Sequence, residues 1–165
     1  MTYFLVALGS ALLFLSGCSP SQTAEYINPE EVSYEIQEET DITDREAVEE
    51  AVQVIENNIA YAEAEDMDGY LSTIVSSAHE NTRTELEAFF ELYDLEHTIL
   101  SITVLEQEED TMLIEVFQQT VAVDQAEEAD DYRDHLGVAN HTLVLEDGEW
   151  KISETVMTDN FFIED

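Results

Sequence analysis

The apolar pattern changes period once, near His97, and that change limits the folds open to the chain. Before it, apolar residues recur every three or four positions; after it, they alternate. Val48, Val52, Ile55, Ile59 and Ala62 follow at spacings of 4, 3, 4 and 3, one face of a helix expected over residues 44–65. Thr43 and Glu46 stand at capping-box spacing at its start. Asp66-Met67-Asp68-Gly69 breaks the pattern and suits a cap for a short second helix carrying Tyr70, Leu71, Ile74 and Val75. Ser76 to Glu80 reads as a loop. Thr82 and Glu85 form a second capping box, before a third helix whose apolar face is Leu86, Phe89, Phe90 and Tyr93 and which ends near Asp94.

From His97 onward β-branched and aromatic residues take over. His97 to Glu106 predicts a strand with Leu100, Ile102 and Val104 on one face. Thr111 to Val123 predicts a strand so long that it must bend. Asp124 to Asp134 has no apolar period and reads as a loop. Val138 to Leu145 and Glu149 to Met157 flank Asp147-Gly148, a two-residue hairpin signal. Phe161 and Phe162 are expected to pack back onto the body. Helices first and antiparallel strands after them make an α+β fold: about three N-terminal helices packed on a strongly curved antiparallel sheet of four or more strands.

The front of the chain addresses location. Phe4 to Leu15 is apolar apart from Gly9 and Ser10, too short to span a bilayer permanently and suited to the core of a secretory signal. It ends in Leu15-Ser16-Gly17-Cys18, which resembles the lipobox of bacterial lipoproteins. That resemblance implies cleavage before Cys18, lipid on the new N-terminal cysteine, and a place on the outer face of the cytoplasmic membrane. Two acyl chains suffice for stable anchoring. Cys18 is the one cysteine, so no intramolecular disulfide forms. Met1-Thr2-Tyr3 lacks the usual Lys or Arg, so the natural start is expected upstream or the recorded chain is shortened. The organisation expected is signal peptide over 1–17, an acidic lipidated tether over 18–43 and a domain over 44–165. Within the tether, which holds both prolines, Val32, Tyr34 and Ile36 alternate as an edge strand would.

Charge excludes several functions. Forty acids, all after residue 24, oppose Arg45, Arg83, Arg133 and Lys151, for a net charge of -36. Nucleic acid and anionic headgroups both require basic surface. Adaptation to high salt or high external pH accounts for acids in every segment; specific cation binding and a cationic partner or substrate are the other two readings. Molar salt cuts the screening length to about 3 Å, which would largely remove the self-repulsion. The domain is therefore expected to melt at a markedly lower temperature in low-salt buffer than in molar salt; equal melting temperatures would contradict this.

The passage Tyr61-Ala62-Glu63-Ala64-Glu65-Asp66-Met67-Asp68-Gly69-Tyr70-Leu71, the hairpin His141-Thr142-Leu143-Val144-Leu145-Glu146-Asp147-Gly148-Glu149-Trp150-Lys151-Ile152, and the element order together resemble the NTF2-like superfamily, also called cystatin-like or SnoaL-like, over residues 44–162. The resemblance implies a cone enclosing a pocket, used by some members for isomerase, cyclase or dehydratase chemistry and by many only for binding. It also implies homodimers. No enzyme motif of the family maps residue by residue, so no catalytic residue is assigned. Tyr61, Tyr70, Phe90, Tyr93, Phe117 and Trp150 are candidate pocket-lining residues that serve equally as plain core, and His141 is a candidate to point into the cone. No metal site is expected: no histidine pair has zinc spacing, and Gly69 is misplaced for a calcium loop. No cofactor is expected. The expected role is a binding module for a small apolar ligand or an envelope protein. The alternative is an isomerase or dehydratase using an Asp, Glu or His base.

Overall fold

The computed structural model describes residues 23–164. Two short strands come first, β1 (Thr23–Ala24) and β2 (Ile36–Glu38). Three helices follow, α1 (Arg45–Glu63), α2 (Met67–Ser72) and α3 (His79–Phe90). Four long strands complete the chain: β3 (Tyr93–Gln107), β4 (Thr111–Gln125), β5 (His135–Glu146) and β6 (Glu149–Ile163). The sheet order is β1-β6-β5-β4-β3-β2. The four long strands are antiparallel neighbours, and the two short ones join the edges in parallel.

The core sits where one face of α1 meets the inner face of the sheet. Val48, Ala51, Val52 and Ile55 from the helix meet Ile102 and Val104 of β3, Met112, Ile114 and Val116 of β4, Leu143 of β5, and Trp150 and Ile152 of β6. Register explains the face: Val104 opposes Ile114, and Val116 opposes Ala139, so these side chains share one side of the pleat. Register shifts at Asp94/Leu95, Ile99/Ser101 and Val104/Glu106, and two more between β5 and β6, bend the sheet into its curl. The long bent strand expected from Thr111 is therefore present, extended to Gln125. The Asp147-Gly148 turn has both residues at positive φ, 56° and 85°, as a type I′ hairpin requires. Phe161 and Phe162 belong to β6 and pair with Leu136 and His135.

Several local expectations are corrected. The cap of α1 is Asp44, whose carboxylate accepts from the Ala47 amide at 3.1 Å; Thr43 instead turns to Gln107, whose Oε1 accepts from both its amide and its hydroxyl. A carboxylate outcompetes the hydroxyl, and Gln107 engages the freed threonine. Helix α3 starts at His79 rather than Thr82, following a 3-10 turn over Ser76–Ala78, and has no side-chain cap. Tyr93 opens β3 instead of closing α3. The cap expected at Asp66 is present: its Oδ1 accepts from the Gly69 amide at 3.0 Å. Gly69 is required for close approach, because a Cβ there would lie 2.4 Å from the Tyr61 ring.

The stretch expected to be a free tether is not free from Thr23 on. Thr23–Ala24 pair with Phe162–Ile163 at one edge of the sheet, and Ile36–Glu38 pair with Ile102–Val104 at the other. Between them Ile27 is held by Gln119, buried on β4: the Ile27 amide donates to Oε1 at 2.7 Å and its carbonyl accepts from Nε2 at 2.9 Å. Tyr34 donates to Glu56 of α1, and Tyr34 and Ile36 pack against the core. The edge strand expected from the Val32-Tyr34-Ile36 alternation exists at its C-terminal end. The lipobox residues Leu15, Ser16, Gly17 and Cys18 lie outside the described residues. Among the described residues no helix is long and apolar enough to cross a membrane.

Candidate functional site

Beyond the packed core the curled sheet opens into a cavity of about 440 Å³ between its inner face, α3 and the start of β3. Its floor is one cross-strand row. Register places His97 of β3 opposite Thr120 of β4, and Thr120 opposite His135 of β5, so all three point to the same side. Gln118 and Asn160 lie one step further along. His97 Nδ1 and Thr120 Oγ1 are 3.0 Å apart, and the His97 amide donates to Glu63 Oε1 at 2.6 Å, tying the floor to the end of α1.

The walls are apolar and mostly aromatic. Leu86, Phe89 and Phe90 come from α3, Tyr93 and Leu95 from β3, and Tyr70 from α2. Tyr132 arrives from the acidic loop before β5. Phe89, Tyr93 and Tyr132 form a run of rings with centroids 5.2 and 5.5 Å apart, and His135 follows at 5.9 Å. Met157 fills the β6 side, where its sulfur lies against Gly137; a Cβ on Gly137 would stand 3.1 Å from that sulfur. Helix α3 contributes no fully buried residue, so its apolar side faces the cavity rather than the core.

Among the described residues no Lys or Arg lines the cavity. Burial, with a smaller push from His135, lowers the His97 pKa to about 4, so its ring is neutral at neutral pH. Burial, with Asp134 and Tyr93 adding to it, pushes the Tyr132 phenol up to about 12, and burial also raises Tyr70. Among the described residues the one carboxylate on the lining is Glu65, exposed at the rim. Among the described residues no cluster of His, Cys, Asp and Glu is arranged to hold a metal ion.

Of the residues singled out in the sequence, Tyr70, Phe90 and Tyr93 line this cavity. Tyr61 and Trp150 do not; they border a separate cleft beside Lys151, and Trp150 is a core residue at 5% exposure. Phe117 opposes Val138 on the outer side of the sheet. His141 is on the inner side but is buried away from the cavity, with Nδ1 3.0 Å from Thr155 Oγ1 and a pKa lowered by burial to about 4. His97, Thr120 and His135 were not singled out, because only strand register reveals that they form a row. Tyr132 was hidden in a loop without period.

Residues 53–163 match the family model described as the anti-sigma-I factor RsgI9, C-terminal domain. No curated protein sequence matches. Solved structures resemble the fold at low identity. A cystatin-like protein of unknown function from Nostoc punctiforme is 14% identical at a TM-score of 0.54, over 76% of this chain and 96% of that one. An NTF2-like protein of unknown function from Pseudomonas putida is 13% identical at 0.58, over 69% and 87%. A candidate scytalone dehydratase from Novosphingobium aromaticivorans is 12% identical at 0.58, over 69% and 85%. The matched residues run from within α1 to the end of β6 and include every residue that lines the cavity; the chain belongs to the RsgI9 C-terminal-domain family, built on an NTF2-like fold.

Proposed function

We propose that this chain is a cell-envelope lipoprotein whose NTF2-like domain binds a small, largely apolar ligand in the aromatic cavity and does not transform it. The observation that carries the reading is the cavity itself: about 440 Å³, walled by Phe and Tyr, with hydrogen-bonding groups on its floor, among them a neutral His97. Pockets of this size and lining suit small molecules. Catalysis by proton transfer asks for a base with a pKa near the working pH. His97, at about 4, is far from that, Glu65 stands at the rim, and His135 has its Nδ1 turned to the Arg133 carbonyl, 3.1 Å away. RsgI9 is named an anti-sigma-I factor; a regulator of that kind has use for a domain that reports a ligand by holding it. Lipid on Cys18 would place the domain on the outer face of the cytoplasmic membrane. Because β1 starts at Thr23, the intervening link would reach at most about 18 Å, so the domain would ride close to the bilayer.

The test is a fluorescence titration with the neutral apolar probe N-phenyl-1-naphthylamine in molar salt, on wild type and on Ala62→Phe, which plugs the cavity from α1. Saturable binding by wild type, weakened at least tenfold in the plugged variant, is expected. Equal binding by both would place the probe elsewhere and overturn the reading.

A further inference from the structure

We propose that the cavity's ligand is a small organic cation, its ammonium group seated among Phe89, Tyr93 and Tyr132 with the Glu65 carboxylate as counter-charge. This rests on the binding role proposed above and gives that ligand its chemistry. Aromatic faces attract a cation within about 6 Å of the ring centroid, and quaternary ammonium groups suit them best because they are poorly hydrated. Phe89, Tyr93 and Tyr132 supply three adjacent rings on one wall. Among the described residues no Lys or Arg lines the cavity, and Arg133, next in sequence to Tyr132, lies over the Phe162 ring at 3.4 Å. His97 stays uncharged. A net charge of -36 draws cations toward the domain and repels anions.

Glu65 supplies an independent argument. It follows the last turn of α1 with a φ of 51°, in the left-handed region that glycine favours. Its amide donates to the Ala62 carbonyl at 3.1 Å and the Asp66 amide donates to the Tyr61 carbonyl at 2.9 Å, which is the hydrogen-bond pattern of a glycine-type helix stop. A side chain strains this position, and a negative charge opposes the helix dipole there. The position thus holds a residue unfavourable on two counts for folding, while its carboxylate lines the cavity. Sites where strain persists are candidates for function.

The experiment displaces N-phenyl-1-naphthylamine from the full domain, in the lowest salt that keeps it folded so that the Glu65 charge is not screened, with choline or with 3,3-dimethylbutan-1-ol, its neutral isostere. Choline is expected to compete on the order of tenfold better. Glu65→Gly should raise the melting temperature and Glu65→Gln should raise it less, yet both should reduce the preference for choline severalfold; Tyr132→Leu should abolish it. A merely structural Glu65 would change stability and leave the preference intact, which would overturn its role as counter-charge. Equal competition by the two compounds, or displacement by the alcohol alone, would overturn the cation and leave the cavity's binding role standing. Failure of the probe to bind would remove both.

Discussion

Replacing Trp150 by Ala is expected to destabilise the domain by about 3–5 kcal/mol while leaving the affinity of the aromatic cavity within about twofold of wild type. Trp150 is 5% exposed and packs in the cluster that joins α1 to β4 and β6. Truncation removes a large apolar surface and leaves a void that rigid neighbours such as Ile55 and Ile114, both fully buried, can close only in part. The cavity residues lie beyond this cluster and do not include Trp150. Urea unfolding measures the first effect and probe titration in stabilising salt the second. Weakened binding at unchanged stability would make Trp150 part of the site instead.

Acid is expected to destabilise the domain through two histidines that folding desolvates, His141 in the interior and His97 on the cavity floor. His97 and His141 have folded pKa values of about 4 against an ordinary 6.5, both mainly through burial. The folded state therefore binds fewer protons than the unfolded one. The stability this represents is complete above about pH 6.5 and is lost as the pH falls toward 4, by about 3 kcal/mol for each ring. Protonation of the many carboxylates acts in the opposite direction by relieving repulsion, so the bare pH profile mixes the two. His141→Gln separates them, because glutamine keeps a polar partner for Thr155 without a titrating ring. Between pH 6.5 and 4 the wild type should lose about 3 kcal/mol more than the variant. Parallel curves would contradict a buried, neutral His141.

Which parts of this account were legible in the sequence follows from the range of the forces involved. The period change at His97 displayed the α+β order, because burial of one face dictates spacing within each element. Asp147-Gly148 displayed its hairpin, because positive φ at two adjacent positions selects few residues. Caps were less legible: Thr43 and Asp44 are both competent, and the choice depended on Gln107, more than sixty residues away. The acidic stretch after Cys18 looked like spacer because its charges dominate its composition. Its attachment depends on Gln119, which no local pattern connects to Ile27. The candidate site divided in the same way. Aromatics on α2 and at the α3–β3 junction were visible by period, but whether a ring faces core or cavity is set by curvature. That is why Tyr93 lines the cavity, Trp150 packs in the core, and Phe117 lies on the outer face of the sheet.

The central claim is that a ligand enters the aromatic cavity, and methyl resonances of labelled methionine test it most directly. Met157 lines the cavity, Met112 is fully buried in the core, and Met67 lies at the start of α2. Addition of N-phenyl-1-naphthylamine in molar salt is expected to shift the Met157 methyl signal in a saturable way and to leave Met112 and Met67 nearly unmoved. A saturating probe that leaves Met157 in place would contradict the account.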